Sequence, residues 1–237
     1  MSRRLPRAFL DPWDAWLQAC MQRSREQLGD GWLDLYLTGP IWRFSLSAAV
    51  CGTEAWCGVM IPSVDRVGRY FPLTIATPAG DDANPFGLAR DLGVWFERAE
   101  DLALSMLDDD APSFEDFDAA VESLAEVDGT CRPTLWPLPE AGALGAWRLP
   151  LSAGLDPAGV YPALLGQAIP RAAAGLSLWW TDGAGEVEPS LCVCAGLPPS
   201  EGFAAWLNGR WDAGSWQDLV GRDDAEPAGA VSLVPLP

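Results

Sequence analysis

The chain has no histidine and no lysine; all fifteen of its basic residues are arginine. Without imidazole there is no Ser-His-Asp or Cys-His centre within the sequence, and the commonest metal ligand is missing. Without an amine side chain there is neither a phosphate-loop lysine nor a Schiff base. No CxxC pair occurs among the six cysteines, at 20, 51, 57, 131, 192 and 194. Cys192 and Cys194 alternate, so on a strand they share a face and form no zinc knuckle. Buried, reduced thiols are expected. No apolar run reaches the ~18 residues of a membrane span, and residues 1–6 lack a signal-peptide pattern. A cytoplasmic location is the expectation.

Positive charge is scarce as well. Thirty-three carboxylates against fifteen arginines leave a net charge of −18. Phosphate attraction needs clustered positive charge, so nucleic-acid binding is not expected. An anionic membrane surface is disfavoured for the same reason. The acidity suits a basic partner. What the chain has in abundance is tryptophan, thirteen residues in 237. Rings of that size bury large areas, so many of them belong to the core.

The sequence is organised around 59–77, VMIPSVDRVGRYFPLTIAT. Two apolar β-forming runs, 59–61 and 70–75, flank a polar knot of Pro62, Ser63, Asp65, Arg66, Gly68 and Arg69. Pro62 should end the first strand, and Gly68 permits a backbone angle that other residues resist. Ser63 and Asp65 are placed to bond local amides. Arg66 and Arg69 lie within reach of one carboxylate. Ser63, Asp65, Arg66 and Arg69 are the candidate binding residues. Two readings stand for them: an Asp–Arg brace between strands, or a docking loop. A braced loop is rigid, so both hold together.

Around this knot the pattern predicts a helix opened by Asp11-Pro12 and running to Leu28. Its apolar face is Trp13, Trp16, Leu17, Cys20 and Met21. Strands are expected at 32–37, 41–51, 56–61 and 70–76. Asn84 caps a helix over 86–107, weakened at Gly93, and Ser113 opens another to Val127. Residues 129–145 read as a Pro/Gly-rich connector between an N-terminal α/β region, 1–128, and a C-terminal one, 146–237, packed as one globular unit. In the second region strands are expected at 146–151, 176–181, 190–195 and 231–234. Helices are expected at 156–169 and after Pro198. The fold class is α/β, a mixed and largely antiparallel sheet covered by helices in a layered αβα-like sandwich.

The run Gly58 to Leu73, with its Pro-Ser-x-Asp-x-x-Gly-Arg-x-Phe-Pro-Leu core, resembles the signature of the TagF family of type VI secretion-associated proteins. Supporting stretches are Arg4-Leu5-Pro6 with Trp13-Asp14 and Trp16-Leu17, Leu178-Trp179-Trp180-Thr181 with Gly183, and Gly196-Leu197-Pro198 with Phe203. Members of that family usually open with a strand carrying Gly-Lys-Leu-Pro and then Gly-Asp-Phe. The present sequence starts after it, so that strand and its polar turn are expected to be missing here. The resemblance implies a non-enzymatic, post-translational repressor of type VI secretion assembly. Its implied partner is the forkhead-associated scaffold protein, and no cofactor is implied. The alternative is a metal-dependent phosphoester hydrolase. Asp65, Asp108, Asp109 and Asp110 would hold Mg²⁺ and Arg66 or Arg69 would bind phosphate.

Overall fold

The computed structural model describes residues 3–65, 67–80, 83–108, 111–124, 175–213 and 216–217. The strands and helices expected at 146–151, 156–169 and 231–234, and the connector at 129–145, lie outside the described residues. Five strands form one sheet: β1 (Trp42–Leu46), β2 (Ala55–Ile61), β3 (Leu73–Gly80), β4 (Leu176–Thr181) and β5 (Ser190–Ala195). Their order is β3-β2-β1-β4-β5, and every pairing is antiparallel. The late strands β4 and β5 therefore extend the sheet of the early ones, with β1 between β2 and β4.

Alternation along β1 explains the layers. Trp42, Phe44 and Leu46 point to one face and are nearly inaccessible. Helix α1 (Arg7–Leu28), the short helix α2 (Trp32–Leu37) and the helix Ala205–Asn208 bury that face. Arg43 and Ser45 point the other way. Ser45 donates to the Pro85 carbonyl (2.9 Å), and Arg43 bonds Glu100 (2.9 Å). The second face is covered by α3 (Pro85–Asp91), α4 (Gly93–Ser105) and α5 (Phe114–Glu122), over Ala55, Cys57, Val59, Ile61 and Ile75. The result is the layered α/β sandwich expected from the sequence.

Five elements depart from expectation. Residues 32–37 are helical. Their leucines alternate, but the buried pair is Trp32 and Tyr36, one helical turn apart and stacked at 4.8 Å. A six-residue window carries both periods, and burial chose the helical one. Helix α1 begins at Arg7, so Pro12 lies inside it. Phe9 is fully buried against Trp13 and Trp56, and this extends the apolar stripe one turn earlier. The single helix over 86–107 is two, α3 and α4, separated at Leu92, next to the weak Gly93. Strand β1 stops at Leu46, and β3 runs from Leu73 rather than Tyr70. The caps are as expected: Asn84 accepts from the Phe86 amide (3.0 Å), and Ser113 accepts from that of Asp116 (3.1 Å).

Cys20, Cys51, Cys57, Cys192 and Cys194 are reduced and buried. Burial pushes the thiols of Cys51, Cys57 and Cys192 up to about 12 and that of Cys194 to about 11. Thiolate is the nucleophile, so these groups are inert in the folded chain. A thiol reagent at pH 8 should label none of the five before denaturant is added, as read by mass spectrometry of the labelled peptides.

Gly58 faces Phe44 across β1 and β2. A Cβ there would run into the Phe44 ring and the Ile75 carbonyl oxygen, and the second is backbone that cannot turn aside. Gly58→Ala should destabilise the protein by about 1–3 kcal/mol, the usual range for overpacking, measured by urea denaturation.

Candidate functional site

The loop between β2 and β3 is a second, smaller hairpin built beyond the end of the sheet. Val64 and Tyr70 form an isolated antiparallel bridge, and the Phe71 amide donates to the Ser63 carbonyl (3.2 Å). Within it the Asp65 amide donates to the Arg69 carbonyl and the Gly68 amide to the Asp65 carbonyl, both at 2.9 Å. Gly68 closes the turn at φ +80°, the left-handed region that glycine enters freely. Early closure of this tip holds residues 64 and 70 together, which moves the start of β3 on to Leu73.

Asp65 is the centre of the tip. Its Oδ1 accepts from the amides of Val67 (3.0 Å) and Arg69 (2.8 Å), and its Oδ2 accepts from Arg69 Nε (2.7 Å). The Arg69 amide and guanidinium, with the Val67 amide, hold the carboxyl below the usual carboxylate range. Of the four candidate residues, Asp65 and Arg69 are thus brought together as a brace. Ser63 contributes its backbone. Arg66 lies outside the described residues.

The other half of the anchor was not legible as a site in the sequence. The Tyr36 hydroxyl accepts from the Ser63 amide and donates to the Ser63 carbonyl, each at 3.0 Å. Burial pushes that phenol up to about 12, so the hydroxyl keeps its proton and can do both. Tyr70 meets Trp32 and Tyr36 edge-on, and Arg25 lies over the Trp32 ring at 4.3 Å. The signal for this role was the four-residue spacing of Trp32 and Tyr36, hidden under the alternation of leucines.

A tip held from below presents its outer side. Val67 is 75% exposed and the Arg69 side chain 79%, with Val64 and Phe71 also exposed. The Arg69 guanidinium beside apolar side chains on a braced turn suits contact with another surface. Metal binding at the same place would have to displace Arg69 and two amides from Asp65. Among the described residues no group of three or more acidic, cysteine or histidine side chains is placed to hold an ion. Asp109 and Asp110 lie outside the described residues. No helix among the described residues is long and apolar enough to cross a membrane.

These features define a three-layered α/β/α domain that presents an exposed hairpin tip braced by Asp65 and Arg69. The chain matches the TagF N-terminal domain, described as type VI secretion system-associated, over residues 1–124. It is also similar to the crystal structure of PA0076 from Pseudomonas aeruginosa PAO1, with 36% sequence identity and a TM-score of 0.71. That match covers 96% of this chain and 94% of that one. No curated protein matches the sequence. The chain belongs to the TagF family of type VI secretion-associated proteins.

Asp65 carries the pH dependence of the tip. Its folded pKa is depressed, so its contribution is present above the ordinary carboxylate range, about 3.9. That contribution is lost as pH falls through the lower folded value. The Asp65 carboxyl should titrate below 3.9 by NMR, and the Val67 and Arg69 amides should exchange faster once it is protonated. Asp65→Ala should give the same fast exchange at neutral pH with the sheet intact.

Proposed function

We propose that this TagF-family chain is a non-enzymatic, cytoplasmic, post-translational repressor of type VI secretion assembly. It acts by binding the forkhead-associated scaffold protein. The family membership carries this reading, and the braced tip supplies a physical route to it. Ser63, Asp65, Arg66 and Arg69 form the docking loop. The Asp65 carboxylate orients Arg69 in advance, so less side-chain freedom is lost when a partner engages it.

The absence of lysine and histidine supports contact rather than chemistry, as does a core whose buried thiols are protonated. The acidity of the chain raises the encounter rate with a basic surface and makes capture sensitive to salt.

The test is capture of the scaffold from its own cell by the wild-type chain and by Arg69→Ala. Because Arg69 is exposed, the variant should keep its circular dichroism spectrum and thermal midpoint. It should bind the scaffold at least tenfold more weakly by calorimetry. A folded Arg69→Ala protein with unchanged affinity would remove the tip from the interface, and a wild-type chain that captures no scaffold would remove the scaffold reading altogether.

A further inference from the structure

Among the described residues the sheet ends at β3 on this side, and that edge opens into a cleft of ≈ 1190 Å³. Nine consecutive residues, Tyr70 to Pro78, line the cleft. Successive strand residues face opposite sides of a sheet, so such a run borders one cleft only where the cleft meets the strand edge-on. The walls agree. Leu10 and Leu17 of α1 stand on one side and Phe117 and Val121 of the α5 layer on the other. The cleft therefore straddles the sheet margin between the two helical layers.

The direction of the backbone groups at this edge follows from Gly58. A Cβ on Gly58 would meet the Ile75 carbonyl oxygen, so that carbonyl is aimed at β2. Antiparallel pairing alternates, so Leu73, Ile75 and Thr77 bond to β2. Thr74 and Ala76 direct their N–H and C=O groups outward into the cleft. Pro78 continues the outward set, the one place on an edge where a missing N–H leaves the ladder intact. Pro72 and Pro78 bracket the free edge at 73–77. At about 3.4 Å per residue this is roughly 17 Å, enough for a five-residue strand. Beside it the Thr74 hydroxyl is buried with no partner among the described residues.

Charge selects the occupant. The arginines around the cleft are engaged: Arg3 and Arg4 with Asp118, Arg69 with Asp65, and Arg25 on the Trp32 ring. Asp14 and Glu54 also line the cleft, and neither has an ion-pair partner among the described residues. The chain as a whole carries −18. We propose that β3 is a docking edge for an extended, basic segment of a protein partner, which adds to the sheet as a further strand. The backbone groups of Thr74 and Ala76 bind the segment's main chain, and Asp14 and Glu54 select its basic side chains. This deepens the binding-protein reading and rests on it; the Arg69 tip lines the same cleft, but the contacts proposed here are made by the strand edge and not by the tip.

The probe is a fluorescein-labelled seven-residue peptide of alternating valine and arginine, with a valine–glutamate peptide as its counterpart. Both are titrated into the full chain by anisotropy. The basic peptide should bind saturably and slow amide exchange at Thr74 and Ala76. Ala76→Pro removes an outward donor and should weaken binding at least tenfold. The pair Asp14→Arg and Glu54→Arg should do the same, and it serves alone if Ala76→Pro does not fold. Four results would overturn the inference. They are no saturable binding to the wild type, equal binding of the acidic peptide, unchanged affinity in the folded variants, or an edge already protected in a concentration-dependent dimer of the free chain. Scaffold capture is measured in parallel. Peptide binding without capture sinks the scaffold reading and leaves the edge, whereas capture without peptide binding sinks the edge alone.

Discussion

The interlocking of aromatic rings between α1 and the sheet is the constraint on which everything else in the molecule rests. Trp13 lies parallel to Trp179 at 5.7 Å and touches Phe44 at 4.8 Å, and Trp16 reaches both Trp179 and Trp206. Trp206 in turn stacks on Trp42 at 4.2 Å. One helix is thereby fastened at once to β1, to β4 and to the short helix near the far end of the chain. Rings are rigid and bury large areas, so few rotamers are lost for much apolar surface removed from water. Two of the polar tips are used as well: Trp16 Nε1 donates to the Pro198 carbonyl (2.8 Å) and Trp179 Nε1 to Ser177 Oγ (3.0 Å), whereas Nε1 of Trp42 and of Trp206 is buried with no partner among the described residues. Such pairing turns two long-range segments into one cooperative face.

From that face rigidity passes outward. Helix α2 packs at the end of α1, with Trp32 Nε1 donating to the buried Ser24 hydroxyl (2.9 Å). Tyr36 on the same helix clamps both backbone groups of Ser63, and the Asp65–Arg69 brace finishes the turn. The tip is exposed, yet each of its main supports traces back to the core in two or three contacts. On the opposite side of the sheet the ties are ionic. Arg43 joins β1 to Glu100 of α4 and to Asp182 after β4, and Arg4 joins the first residues to Asp118 of α5. Arginine suits these bridges, since its planar fork engages more than one carboxylate.

Most of this was legible in the sequence where a local signal and burial agree. Strands β2, β4 and β5, the Asn84 and Ser113 caps and the Asp65–Arg69 brace were each read from residue type and spacing. Three of the misreadings share one cause, a contact that outweighed the local preference read from the sequence. Phe9 drew α1 past Pro12, stacking of Trp32 on Tyr36 made a helix of an alternating run, and the closed tip displaced the start of β3. The anchor at Tyr36 had a signal in the spacing of Trp32 and Tyr36, masked by the alternating leucines, whereas the outward amides of Thr74 and Ala76 depend on register and on which strand ends the sheet. No local pattern encodes either.

A braced tip beside the β3 edge, which no strand covers among the described residues, makes a single spatial claim about where a partner sits. Hydrogen–deuterium exchange of the chain, alone and with an excess of the forkhead-associated scaffold proposed as its partner, tests it most directly. The account predicts new protection concentrated in residues 63–77, with little change in α4 or β5. Protection centred instead on the outer face of β5, where Leu191 and Val193 are exposed, with 63–77 unchanged, would contradict it.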